Sequence, residues 1–191
     1  MKGRESGMPS QDVWEGFFTP AEALRVLGLD DTVSDVVEFG CGYGTFTIPA
    51  ATLVKGTVHA VDIDADMVET TRTAADSAGL QNVNVVLRDC MADGTGVQSG
   101  SVDYAMLFNI LHIEQPERLL GEALRVLKKD GKLGIMHWRC DRSTPRGPSM
   151  DIRPKPEQCV AWAEAAGFCK PKQYDLPPHH YGIVMRKGSR R

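Results

Sequence analysis

Three acidic side chains, Glu38, Asp62 and Asp89, each close a short apolar run, and the first leads into the glycine-rich loop Gly40-Cys41-Gly42-Tyr43-Gly44. Glycines this closely spaced let a ligand approach the main chain and let the chain turn where other residues would be strained. The loop follows a predicted strand and opens a predicted helix, the setting in which such a motif holds a nucleotide-like group. Its spacing is GxGxG. A dinucleotide fingerprint needs a further glycine at 45 or 47, and both positions are threonine; a phosphate-cradling lysine is also lacking. The loop is therefore not built for a pyrophosphate. Asp62 stands 22 residues after Gly40, where a carboxylate can accept from both hydroxyls of a ribose. Glu38 suits a ligand carrying an ammonium group better than one carrying phosphates. All three acids fall at carboxyl ends of strands, where open α/β sheets bind ligands.

The elements that must position them alternate. Asp35 to Phe39 reads as a strand, Thr45 to Lys55 as a helix, Thr57 to Val61 as a strand and Ala65 to Ala78 as a helix ending at Gly79. Val83 to Leu87 and Val102 to Phe108 are further strands. Pro116 to Lys128 is a helix closed by Asp130-Gly131, and Lys132 to Trp138 a fifth strand. Continuous apolar strands separated by amphipathic segments imply an α/β domain with a mostly parallel sheet and right-handed crossovers. Ala21 to Leu27 reads as a helix after the aromatic cluster Trp14, Phe17, Phe18. Residues 141–156, DRSTPRGPSMDIRPKP, are too rich in proline for a regular element and read as a long loop, a class often functional. Glu157 to Ala166 is a helix stopped at Gly167, followed by two strands near Lys170 to Tyr174 and Tyr181 to Arg186.

A chain of 191 residues fits one domain with its own core, and a net charge of −3 gives no field for nucleic acid or membrane. The basic run from Arg186-Lys187 to Arg190-Arg191 reads as a solvated end. No apolar run is long enough to span a membrane, and the first residues lack the apolar core of a signal peptide. Five cysteines with no CxxC pair or zinc-type spacing predict a reducing, cytoplasmic setting and no metal site.

Glu38-Phe-Gly-Cys-Gly-Tyr-Gly44, Val61-Asp62-Ile63-Asp64 and Arg88-Asp89-Cys90 together resemble the first three motifs of class I S-adenosylmethionine-dependent methyltransferases. Leu124-Arg-Val-Leu-Lys-Lys-Asp-Gly-Lys-Leu133 resembles their segment before strand five. The resemblance covers roughly residues 34–138 and is closest to a small-molecule branch of type 11 character. It implies a Rossmann-like three-layer α/β sandwich on a seven-stranded, mostly parallel sheet with an antiparallel last strand. It also implies S-adenosylmethionine as cofactor. Gly40, Gly42 and Gly44 would then lie under its methionine and ribose parts, with Cys41 and Tyr43 in the same loop. Glu38 would hold the loop and the amino group, Asp62 the ribose hydroxyls, and Ile63 would lie beside the adenine. Asp89 would accept from the adenine amino group, Cys90 would offer its N–H, and Asn109 would place its carbonyl near the ammonium. Glu38 could instead simply brace the loop, and Asp89 could cap a helix.

On that reading the chain is one methyltransferase domain. Residues 1–34 form a helical arm or lid, 35–140 the cofactor-binding core, 141–156 a proline- and arginine-rich loop, and 157–191 a closing helix and two strands. Trp14, Phe17, Phe18, His112, His137, Trp138 and Arg139 are candidates for the acceptor side, with His112 and His137 as base or orienting groups; Trp14 and the two phenylalanines could instead simply pack the arm. Arg139, Arg146 and Arg153 could offer forks to an anionic acceptor or be surface arginines on a solvated loop. The stretch after strand four, Phe108-Asn-Ile-Leu-His-Ile113, departs from the Asn/Asp-Pro-Pro-aromatic element of enzymes that methylate base nitrogens. No DNA partner is expected, a small-molecule acceptor is, and the protein is expected to be a monomer or homodimer. Thiol chemistry at Cys41, Cys90 and Cys140, a nicotinamide oxidoreductase, a protein or RNA methyltransferase and a non-catalytic cofactor-binding module are the competing readings.

Overall fold

The computed structural model describes residues 9–188; Arg190 and Arg191 of the basic tail lie outside the described residues. Seven strands form one sheet: β1 (Val36–Phe39), β2 (Val58–Asp62), β3 (Val83–Leu87), β4 (Val102–Phe108), β5 (Leu127–Trp138), β6 (Phe168–Leu176) and β7 (His180–Lys187). Their order is β3-β2-β1-β4-β5-β7-β6. β1 to β5 pair in parallel, while β7 runs antiparallel to both β5 and β6. The order reverses between β1 and β4, so the helices that leave their ends diverge and open a crevice there.

The apolar runs explain the layers. Alternate residues of each strand face opposite sides, and the central strands β1 and β4 and the second half of β5 are covered on both, so they read as nearly continuous apolar runs. Helices α1 (Gln11–Glu15), α2 (Pro20–Val26), α3 (Thr47–Leu53), α4 (Ala65–Ser77), α5 (Cys90–Asp93), α6 (Pro116–Val126) and α7 (Pro156–Ala166) complete the chain. On one face Leu24 and Leu27 at the end of α2, with Phe46 and Ala50 at α3, pack on Val36, Val58, Tyr104 and Met106. On the other face Leu119, Leu120 and Ala123 of α6 and Cys159 and Ala163 of α7 pack on Val37, Phe39, Ala105, Leu107 and Ile135.

One boundary differs from the sequence reading. Lys128-Lys-Asp-Gly131 does not close a helix; α6 ends at Val126 and β5 starts at Leu127. Val102 pairs with Leu127 and Tyr104 with Lys132, so residues 128–131 bulge from the strand, with Asp130 at φ 61°. The bulge carries Lys128, whose ammonium reaches Asp103 at 2.9 Å and Asp35 at 3.4 Å. It also receives the basic end of β7, since Arg186 donates to the Asp130 carbonyl at 3.0 Å and Lys187 to that of Leu127 at 2.7 Å. Those two residues are thus part of the sheet rather than a solvated end.

Tyr104 shows how tightly the α2 face is fitted. It is fully buried, and its hydroxyl donates to the Leu27 carbonyl at 2.8 Å. The ring occupies space left by Gly134 on β5, where an added Cβ would sit 2.0 Å from the tyrosine oxygen. Gly134→Ala is expected to cost about 2 kcal/mol or more by overpacking, and Tyr104→Phe about 1 kcal/mol for the lost bond. Urea titrations of the two variants check the order; a Gly134→Ala protein as stable as wild type would disprove the fit.

Candidate functional site

The glycine loop sits where β1 meets the crevice. Gly40, Gly42 and Gly44 have φ of 77°, 53° and 79°, all in the left-handed region that glycine enters without strain. The N–H groups of Gly40 and Cys41 both donate to the Val61 carbonyl, at 2.8 and 3.2 Å, tying the loop to β2. Asp62 at the end of β2 accepts Gly42 N–H at 2.9 Å on one oxygen and Asp64 N–H at 3.0 Å on the other. Thr71 of α4 donates to the Gly42 carbonyl at 2.8 Å. A carboxylate has about four acceptor positions, so Asp62 shapes the loop and retains capacity for a vicinal diol. Ile63, beside it, is exposed.

Glu38 is buried, and the hydroxyl of Thr47, at the start of α3, donates to it. Burial lifts its carboxyl to about 8; the Thr47 bond opposes that, and the charge of Asp62 adds to it. The group is therefore largely protonated at neutral pH unless a cation lies beside it. Asn109 ends β4 with φ 55° and donates its N–H to the Met136 carbonyl at 2.7 Å. Its side-chain Oδ1 and the hydroxyl of Thr45 are buried with no hydrogen-bond partner. The ends of β1 and β4 thus present buried acceptors without donors, which is the chemistry that fits an ammonium group.

At the end of β3, Asp89 caps α5, accepting Met91 N–H at 2.8 Å and Ala92 N–H at 3.1 Å. The cap and a ligand contact are compatible roles for one carboxylate. Cys90, next along, is half-buried, and burial, with the charge of Glu122, pushes its thiol up to about 12. Burial raises the Cys41 thiol further still. Neither is a thiolate at neutral pH, and no group of His, Cys, Asp and Glu that could hold a metal ion occurs among the described residues.

Where the acceptor side was expected, an aromatic cluster is built on the buried Trp138 at the end of β5. Trp14, Phe17 and Phe18 of the arm pack on it at ring-centroid distances of 6.3, 5.3 and 6.3 Å, and His180 of β7 lies at 4.2 Å. Phe18 also meets Phe46 at 5.2 Å, and Phe46 meets Phe108 at 5.1 Å. Tyr43 of the glycine loop straps the arm from the other side, its hydroxyl donating to the Pro9 carbonyl at 3.0 Å. His112 and His137 are both buried and lie 3.2 Å apart through Nδ1 and Nε2.

The arginines are placed differently from the sequence reading. Arg139 does not present its fork to an acceptor: it binds Asp141 at 2.9 and 2.7 Å and Asp175 at 2.6 Å. Arg153 is buried, and its guanidinium donates to the carbonyls of Pro148 (2.8 Å), Arg139 (2.8 Å) and Arg146 (3.1 Å) while lying 5.8 Å from the Trp138 ring centre. Arg146 itself is exposed. Residues 141–156 are therefore laced onto Trp138 by an internal arginine, which accounts for the unusual composition of the loop. Sequence reasoning missed Thr47 and Thr71, which hold Glu38 and Gly42; a threonine 9 or 29 residues away carries no local signal.

A family model described as a methyltransferase domain matches residues 36–131. Over 123 residues the chain is 34% identical to a nocamycin O-methyltransferase of Saccharothrix syringae, covering 62% of this chain and 43% of that one. It spans less than half the length of the curated relatives it matches. Among solved structures, a SAM-dependent methyltransferase from Aquifex aeolicus superposes with a TM-score of 0.82 at 23% identity, covering 93% of this chain and 94% of that one. A Haemonchus contortus phosphoethanolamine N-methyltransferase 2, in complex with S-adenosyl-L-methionine, superposes at 0.73 with 16% identity, covering 88% and 52%.

Glu38 gives a pH signature. Its carboxyl lies above the unfolded value of 4.5, so the folded protein holds a proton that the unfolded chain gives up. Its contribution is present below the unfolded value and is lost as pH rises toward 8. Between pH 5 and pH 9 the wild type should lose on the order of 3 kcal/mol relative to Glu38→Gln. Urea titrations at the two pH values test this; parallel profiles for the two proteins would exclude a buried, proton-holding Glu38.

Proposed function

We infer the activity from one premise: the chain belongs to the class I S-adenosylmethionine-dependent methyltransferase family. It transfers a methyl group from S-adenosylmethionine to a small molecule. The observation that carries this is the convergence, at one reversal of strand order, of a left-handed glycine loop, a ribose-type acid and buried acceptors for an ammonium. Gly40, Gly42 and Gly44, with Cys41 and Tyr43, cradle the cofactor. Asp62 takes the ribose hydroxyls and Ile63 lies along the adenine. Asp89 and the Cys90 N–H read the adenine edge, and Glu38 and Asn109 take the ammonium.

When bound, the cofactor supplies a methyl carbon already activated by a sulfonium. The protein then needs mainly to align the acceptor and to exclude water. The arm up to residue 34 acts as the lid, and residues 35–140 hold the cofactor. Loop 141–156 and the closing elements from 157 onward complete the acceptor wall. Trp14, Phe18 and Trp138 form an apolar wall suited to a small organic acceptor, and the relative named for O-methylation of nocamycin points the same way. With Arg139 and Arg153 committed within the fold, Arg146 and Arg142, the latter 3.8 Å from Asp141, are the exposed loop arginines left to meet an anionic group.

Labelled methyl transfer from S-adenosylmethionine into a cell extract, separated by size, tests the reading, with label expected in the small-molecule fraction. Label in protein or RNA alone would replace the acceptor class. Calorimetry should find S-adenosylmethionine binding weakened about 10- to 100-fold in Asp62→Ala. An unaltered affinity in a folded variant would remove Asp62 from the site.

A further inference from the structure

The arm places a phenylalanine where the crevice and the aromatic cluster meet. Trp138 alternates with Met136 along β5 and pairs with His180 of β7, so both side chains stand on the α2 face of the sheet. Phe18 lies against His180 at 4.6 Å between ring centres, with planes 33° apart, and meets Phe46 edge-on at 5.2 Å. Phe46 in turn meets Phe108 at 5.1 Å. In sequence these two phenylalanines directly follow and precede Thr45 and Asn109, whose buried oxygens have no hydrogen-bond partner. Phe18 therefore fills a ring-sized seat beside the position proposed for the methionine end of the cofactor.

The seat is loosely closed. Helix α1, which carries the arm, has no buried residue, and Phe18 itself is only half-buried. A cleft of about 290 Å³ remains between α1, the glycine loop, α3 and α4, with Gln11, Glu15, Tyr43 and Thr45 among its walls. His180 Nε2 is buried without a hydrogen-bond partner while a hydrocarbon ring lies against the imidazole. Leaving a polar atom in that condition weakens the closed arrangement.

The seat also selects. Rings set edge-on and tilted at these distances attract one another beyond what burial alone gives, and a saturated ring forgoes that gain. The Trp138 ring is already met by the buried guanidinium of Arg153, 5.8 Å from its centre, which leaves it a poor cage for a second cation. Burial first, then the charges of His179 and Arg153, drives His180 down to about 3. An ammonium in the seat would meet the same opposition, whereas a neutral or anionic ring would not.

We propose that Phe18 is a specificity-determining residue that holds the seat of the acceptor's own ring. That ring is flat, aromatic and either neutral or anionic, and the arm opens as it takes the place of Phe18. The inference rests on the methyl-transfer reading above and narrows its small-molecule acceptor. Binding is then a competition, in which the apparent affinity for the acceptor falls with the fraction of molecules whose seat Phe18 occupies.

Phenol, cyclohexanol and benzylammonium, titrated into protein labelled with nitrogen-15 at tryptophan, test the seat without any cofactor. The indole signals of Trp14 and Trp138 should move with phenol, and that of Trp162, on α7 against the opposite face, should not. Phenol should bind about tenfold more tightly than either other probe. Phe18→Ala should tighten phenol binding by about tenfold. Phe18→Leu, which keeps most of the volume and the fold but not the ring, should tighten it to a smaller extent. Hydrogen exchange of the α1 amides in wild type should quicken at saturating phenol. Equal binding of cyclohexanol or benzylammonium, an unchanged phenol affinity in Phe18→Leu, or α1 amides as protected with phenol as without it would each overturn the proposal. So would a labelled product, formed from S-adenosylmethionine and an extract, that carries no aromatic chromophore; methyl transfer would then stand and the ring assignment fall. A wild type that binds phenol as expected but does not bind S-adenosylmethionine would remove the methyl-transfer reading, and the acceptor with it.

Discussion

Both polar groups of a single residue, Gly42, are held by side chains from other elements, and the cofactor end of the molecule depends on that arrangement. Its N–H is bound by Asp62 from β2 and its carbonyl by Thr71 from α4. A loop with three left-handed glycines has little conformational preference of its own, because glycine loses more freedom on ordering than any other residue. The two outside contacts supply the preference. They also join β1, β2 and α4 at one point, so that Asp62 cannot move without moving the loop. The acid proposed as a ligand contact is thus also a structural brace, and the two roles are compatible. A carboxylate already fixed by two main-chain donors meets a diol with less freedom left to lose.

A similar economy governs the acceptor side. Arg153 is a buried cation whose described partners are three main-chain carbonyls and the face of Trp138. Burial disfavours such a charge and lowers its pKa from the usual arginine range, and several carbonyl dipoles around the guanidinium offset that. The arrangement turns proline-rich residues, which supply few backbone donors, into a fixed wall. Gly147 allows the close approach: its φ is 105°, and an added Cβ would lie 2.7 Å from the Trp138 ring. Trp138 is consequently packed by the arm on one side and by the loop on the other.

Much of this was legible in the sequence, for a definite reason. β3 and β4 begin and end where the apolar runs do; β4 is buried along almost its whole length, whereas β3, a partly exposed edge strand, is set off by Asn82 and Arg88 on either side. The seven-stranded order with its antiparallel last strand agrees with what the motif resemblance implied. The start of β5 was not legible, because Lys128-Lys-Asp-Gly131 has the composition of a turn and only pairing of Leu127 with Val102 makes it strand. The four-residue α5 is too short to show periodicity. Arg139 looked available although one partner, Asp141, lies only two residues on; the other, Asp175, lies 36 residues away on β6 and carries no local signal. Local chemistry can be read from local sequence, whereas the commitment of a side chain to a distant partner cannot.

The ionisation states of the site fit together in a way no single residue reveals. Glu38 is raised to about 8 by burial, His137 is driven neutral by burial, and the thiols of Cys41 and Cys90 are held protonated. Those four groups therefore carry little charge at neutral pH. A cation brought beside Glu38 favours its ionised form, so its binding is coupled to release of a proton and strengthens as pH rises toward the value of that acid. On the proposed reading the ammonium of the cofactor would leave Glu38 ionised, a negative charge present only in the loaded state.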